Sequence, residues 1–249
     1  MPLNLAPVTD YQSMLNRIFW FTSAAALAAT WLLRANVPAL DAALSKIDVA
    51  LAIGGDKVLP TPAGYLLPAL VIGFATRIFR LHTRVSDLLG IREWFDLDVI
   101  LREFAEQLDV NINKVDFHQL RRARAGLMRN VFYSYVSGPR PAVDEPLIHQ
   151  ALDAWSWFWI GVETTLLFSL AAFGLIACGV REVGLQTLGA TLVLAIIGLP
   201  AIRSQCRRYA IAQVRAILAD PTRAAAVRAA FAELTGEKIN PVIPRRVAA

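Results

Sequence analysis

A glutamate stands inside the most apolar stretch of this chain. Trp155 to Val180 opens with an aromatic cluster of Trp155, Trp157, Phe158 and Trp159, and Glu163 follows one to two helical turns later. In a bilayer such a cluster marks the interface. An ionised carboxylate beyond it costs about 2.5–3.5 kcal/mol at the centre of the bilayer and less toward its edge, so the side chain must face protein or water. Arg77, at the inner end of another apolar stretch and at a similar predicted depth, is its natural partner. Glu163 can lock two helices together as a structural ion pair or as a protonated carboxylic acid, or its carboxylate can line a path for ions or protons.

A second constellation is basic. Arg80 and Arg84 follow one apolar stretch, Arg121, Arg122, Arg124 and Arg129 lie in the central polar segment, and Arg203, Arg207 and Arg208 follow the last apolar stretch. Guanidinium groups are permanently charged and bind phosphate bidentately, so these nine arginines are candidates for an anionic ligand. The plainer reading is that they meet lipid headgroups and the 11 acidic residues between Asp87 and Asp153.

Conventional catalysis finds little footing. His82, His118 and His149 lie far apart, and none has a second His or Cys at i+4 to form a helical metal site. No phosphate-binding glycine loop and no nucleophile elbow is present, so neither an enzyme, a cofactor nor a metal is expected. Val49 to Asp56, a glycine-containing apolar loop ending in Asp, has the outline of a cation-channel filter but lacks its threonine and spaced glycines. A surface helix and turn is the stronger expectation there. The two cysteines, Cys178 and Cys206, are expected near opposite faces of the membrane, too far apart to bridge.

The elements that must position these residues follow from hydropathy. Of the 249 residues 56% are hydrophobic and only 18% charged, and the charges are bunched, unlike those of a soluble core. Four stretches reach the roughly 20 residues that one crossing needs: 18–37, 61–79, 155–180 and 183–202. The first follows a polar, non-basic start without a cleavage signal and is read as a retained helix. Of the 25 Lys and Arg, 21 precede the first stretch, lie from Arg77 at the inner end of the second stretch to the start of the third, or follow the fourth. The positive-inside rule therefore places both termini and the central segment in the cytosol of a bacterial-type inner membrane. The third and fourth stretches, joined at Arg181-Glu182, form an antiparallel hairpin with many small residues at close approach.

Residues 40–53 carry Leu40, Leu44, Ile47 and Leu51 at helical spacing and predict an amphipathic helix on the outer surface, before a Gly54-Gly55-Asp56 turn. In the cytosolic region, 81–154, the second stretch is expected to continue as helix through Arg84 to Leu89. Helices over 96–108 and 116–136 follow, the latter with Phe117, Leu120, Leu127, Val131 and Tyr135 on its apolar face. Ser137 to Pro141 is a stiff loop, and Asp144 precedes a helix running from 145 or 146 into the third crossing. In the tail, 203–249, the fourth helix projects to about Ala219. Asp220-Pro221 starts another that Gly236 stops, and an irregular end carries Arg245-Arg246.

The fold class expected is an all-α membrane protein of four crossings with a cytosolic helical insertion and tail. This layout is shared with stator-type proton-driven motor subunits and with small bacterial membrane effectors of antiviral defence, and the likeness is one of layout alone. Four helices are few for an alternating-access carrier, so a homo-oligomer among membrane lipids is expected. The leading expectation is an ion-conducting or membrane-perturbing homo-oligomer with a basic cytosolic layer. Its regulator would be an anionic ligand, such as a nucleotide, an oligonucleotide or a phosphorylated lipid, or a cytosolic protein. The alternatives are a small transporter with Glu163 as coupling carboxylate, and a membrane scaffold for a cytosolic partner.

Overall fold

The computed structural model describes residues 8–51, 63–112, 115–137 and 141–236, and among these residues all regular structure is helical. The elements are α1 (Tyr11–Asn36), α2 (Pro38–Leu51), α3 (Ala63–Ile78), α4 (Leu81–Leu88), α5 (Ile91–Trp94), a π-helical segment π1 (Phe95–Leu101), α6 (Arg102–Gln107), α7 (Phe117–Met128), π2 (Arg129–Tyr133), α8 (Ser134–Val136), α9 (Glu145–Ala177), α10 (Arg181–Leu218) and α11 (Pro221–Thr235). Three of them, α1, α9 and α10, are long and apolar enough to cross a membrane, and α3 with α4 would make a fourth if that bent pair counts as one.

Helix α1 starts seven residues before the apolar run, because Asp10 and Ser13 form a capping box. The Asp10 carboxylate accepts the Ser13 amide at 2.7 Å and Ser13 Oγ accepts the Asp10 amide at 3.0 Å. Two free backbone donors are satisfied there, so helix begins before hydrophobicity does. The surface helix expected over 40–53 is present as α2; the turn at 54–56 and most of the filter-like loop fall outside the described residues.

The expected continuation of α3 through Arg84 does not form. The chain breaks at Arg80, which adopts a left-handed conformation with φ 45°, and α4 leaves at 62° to α3. Of the polar side chains of α4, His82 and Ser86 at i and i+4 share one face and are buried. Tyr11 of α1 meets His82 Nε2 at 3.4 Å and the Trp159 ring of α9 stands edge-on to the imidazole. Those contacts offset the cost of a non-glycine residue in the left-handed region.

The chain forms two compact units, one within Met1–Leu89 and His149–Cys206, the other within Gly90–Ile148 and Arg207–Ala249. In the first, α3 packs on α1 at Gly73, where an added methyl would overlap Ser23 Oγ and crowd the Phe19 ring. Helices α9 and α10 form the expected hairpin. Gly184 lies against the Ala172 carbonyl and Ile176, leaving no room for a side chain. The outer faces are apolar: Leu166, Leu170 and Phe173 of α9 and Leu192 to Leu194, Ile196 and Ile197 of α10 are all exposed.

In the second unit, Phe95, Ile100, Leu101, Phe104, Met128, Val131, Val214, Ile217, Val227 and Phe231 form the core. The expected helices over 96–108 and 116–136 are present, each interrupted by a π segment. A π turn inserts one residue and shifts the following side chains around the axis. Phe117, expected on the apolar face, opens α7 and is exposed, while Leu127 and Met128 at the other end of that helix and Val131 and Phe132 in π2 are buried. Asp220 caps α11 by accepting the amides of Thr222 and Arg223, and Gly236 ends it at φ 68°, as expected. The central part of the Ser137–Pro141 loop and the last residues with Arg245-Arg246 lie outside the described residues.

Candidate functional site

Glu163 is 1% exposed, and its carboxylate lies on the side of α9 that meets α1. Thr22 Oγ1 donates to Oε2 at 2.5 Å, while Oε1 is buried without a hydrogen-bond partner. The expected pair with Arg77 does not form. Arg77 is exposed on α3, donates to Asn16 Oδ1 at 2.7 Å, and lies over the Phe19 ring at 5.9 Å. The reason is azimuth. Helix α1 presents Thr22 to α9 and Ser23 to α3, so α9 and α3 approach α1 on different flanks. Hydropathy sets a residue's depth in a membrane but not the direction in which it points.

Glu163 meets one of a set of buried polar side chains spaced along α1, which hydropathy alone did not single out. Near one end of the helix Arg17, 6% exposed, pairs with Asp153 of α9 and donates to Ser156 Oγ at 3.2 Å. Near the other end the buried Arg34 donates Nε to Asp41 at 2.7 Å and both terminal nitrogens to Asp48 at 3.1 Å, with Tyr65 beneath it at 4.0 Å. Thr22, Ser23 and Thr30 are buried between them. At 1.5 Å per residue, Arg17 and Arg34 are about 25 Å apart along the axis, close to the roughly 30 Å of a hydrocarbon core. A signal was available: the polar residues of an otherwise apolar run at 17, 22, 23, 30 and 34 cannot face lipid.

On the opposite side of α9 an open groove of about 580 Å³ runs along α10, lined by Leu32, Trp157, Thr164, Thr187, Thr191 and Leu199 among others. It does not join the carboxylate. Among the described residues no cluster of three or more His, Cys, Asp or Glu could hold a metal, and Cys178 and Cys206 are both free thiols.

The nine arginines of the expected basic layer divide between the units. Arg80, Arg84 and Arg203 belong to the first, and Arg121, Arg122, Arg124, Arg129, Arg207 and Arg208 to the second. Two of them already have acidic partners: Arg121 binds Glu93 at 2.9 Å and Arg124 binds Asp96 at 3.1 Å. Arg122 donates to the His118 carbonyl and Arg84 stands over Phe79. The acidic residues of the segment therefore neutralise part of the basic layer.

Asp96 lies in π1 and is 4% exposed. Burial pushes its carboxyl up to about 6, against the opposing pull of Arg124 and Arg92. Burial, and then the Asp96 charge, raise the nearby Tyr133 in π2. Because the folded value lies above the usual 3.8, the folded state holds a proton that the unfolded chain has released. Stability of this unit is thus greatest below about pH 4 as far as Asp96 is concerned. It falls by about 3 kcal/mol as pH rises to 6 and stays level above it. Hydrogen exchange in π1 and α7, corrected for its intrinsic pH dependence, should show that loss of protection. Asp96→Asn should flatten the slope, and an unchanged slope would remove Asp96 as its source.

Described residues whose regular structure is all helical, with three helices fit to cross a membrane and a fourth as a bent pair, define a multi-helix protein of membrane character. The chain belongs to the YmfE protein family, which it matches over residues 10–233. Comparison with curated proteins and with solved structures finds no match.

Proposed function

We propose that this is a non-enzymatic protein of a bacterial-type inner membrane that moves a small cation, the proton foremost, across the bilayer by way of Glu163, working as a homo-oligomer. Helices α1, α3, α9 and α10 are its four crossings, with both termini and the second unit in the cytosol. The orientation rests on the distribution of Lys and Arg.

The observation that carries this reading is the state of Glu163: 1% exposed, held by one hydroxyl, with its second oxygen unpartnered. An ionised structural carboxylate so buried is usually matched by a cation of the chain, as Arg17 and Arg34 are matched by Asp153 and by Asp41 with Asp48. Among the described residues Glu163 is in no such pair, which suits a group that takes up and gives up a proton or another small cation. The exposed apolar faces of α9 and α10 leave room for lipid and for further copies of the chain.

Regulation by an anionic ligand at the cytosolic arginines is a weaker part of the earlier expectation, since Arg121 and Arg124 are engaged by acidic neighbours. The test of the main reading is flux. Sealed vesicles carrying the purified protein should acidify or take up sodium or potassium under an imposed membrane potential, and protein-free vesicles should not.

A further inference from the structure

Helix α4 buries two polar side chains and leaves apolar ones in the open beside its charged residues. His82 and Ser86, at i and i+4, are 9% and 5% exposed, and His82 meets Tyr11 of α1 and Trp159 of α9. Leu88 and Leu89 at its end are 84% and 62% exposed, and Ile78 and Phe79 just before it are exposed as well. A helix bathed in water arranges these residues the other way round. The exposed side also carries charge of one dominant sign. Arg77, Arg80 and Arg84 lie there with a single acid, Asp87, and the Arg84 guanidinium sits over the Phe79 ring at 5.7 Å.

We infer that α4 is a membrane-surface helix, with Ile78, Phe79, Leu88 and Leu89 seated at the acyl boundary and Arg80 and Arg84 binding the phosphates of anionic phospholipids. This deepens the proposed function and rests on its reading of α3 as a crossing. The 62° bend at Arg80 comes where a crossing helix reaches the inner interface, and it turns α4 away from the axis of α3 toward the plane of the bilayer. Apolar side chains at that level reach acyl chains, and arginine stems extend from them to the headgroups. Three exposed arginines against one aspartate favour an anionic leaflet over a neutral one. An aqueous partner would leave the four apolar side chains in water whenever it dissociated, whereas the lipid is always present.

The test uses the full-length protein in vesicles of phosphatidylcholine, with and without phosphatidylglycerol. A benzophenone amino acid is placed singly at position 88 or, on the outer face of α10, at position 194. Photolysis should attach lipid at both positions. Phosphatidylglycerol retained on detergent extraction should fall about tenfold or more in Arg80→Gln/Arg84→Gln, and inorganic phosphate should not displace it from the wild type. Lipid attachment at 194 without attachment at 88 would overturn the inference and leave the crossings intact. Equal phosphatidylglycerol retention by the double variant, or displacement by phosphate, would overturn the lipid site. Attachment at neither position would remove the membrane reading and this inference together.

Discussion

Glu163→Gln is expected to reduce cation flux in reconstituted vesicles to the level of protein-free ones while leaving the fold in place. The amide oxygen of Gln can still accept the Thr22 hydroxyl that now reaches Oε2, and the side chain keeps its length, so the contact of α9 with α1 persists. What disappears is the ability to take up and release a positive charge. Because Glu163 has no cationic partner among the described residues, its neutral replacement strands no buried arginine there, and thermal stability should be equal to or above that of the wild type. Glu163→Asp, with a carboxylate one methylene shorter, should keep part of the flux. A Gln variant that conducts like the wild type would reduce Glu163 to a packing residue, and a lower unfolding temperature would show that its charge stabilises the fold.

Arg34→Gln should have the largest effect on stability. Arg34 ties three elements together: its own α1, α2 through Asp41, Ser45 and Asp48, and α3 through Tyr65 and through Asp48, which also accepts the Gly64 amide. Its side chain is 6% exposed while Asp41 and Asp48 are partly open to solvent. Deleting a buried partner typically costs 3–5 kcal/mol. The solvent around the two carboxylates brings the expectation to the lower end, about 3 kcal/mol. Arg34→Lys should recover only part of it, since one ammonium cannot address Asp41 and Asp48 in two directions and lie flat on Tyr65. Thermal unfolding in detergent followed by tryptophan fluorescence reads both variants. No loss in the Gln variant would mean that apolar contacts alone hold α2.

How much of this was legible in the residues depends on what kind of information was needed. Helix boundaries set by local chemistry were readable: Asp220 before Pro221, Gly236 after Thr235, and the uninterrupted run from Glu145 into the apolar stretch all appear as expected. That Glu163 must face protein was readable too, and it is 1% exposed. Its partner was not, because depth leaves the rotation of a helix about its axis undetermined, and Thr22 lies on the flank of α1 that faces α9. The bend at Arg80 was hidden because no glycine or proline marks it. The π segments escaped because one inserted residue changes the phase of an apolar pattern without changing its composition. Arg34 stands at the end of an apolar run, where an arginine can also simply reach toward water. Its true partners, seven and fourteen residues on, became neighbours only once α2 folded back along α1.

The central claim, that Glu163 is the membrane-buried group through which the cation passes, is tested most directly by covalent modification. Dicyclohexylcarbodiimide partitions into the bilayer and reacts with protonated carboxyl groups there, and the unpartnered Oε1 offers it an acid without a competing arginine. In vesicles carrying the wild-type protein, mass spectrometry should locate the adduct at Glu163, and flux should fall in proportion to the fraction modified. Full modification of Glu163 with undiminished flux, or inhibition with the label elsewhere, would contradict the account.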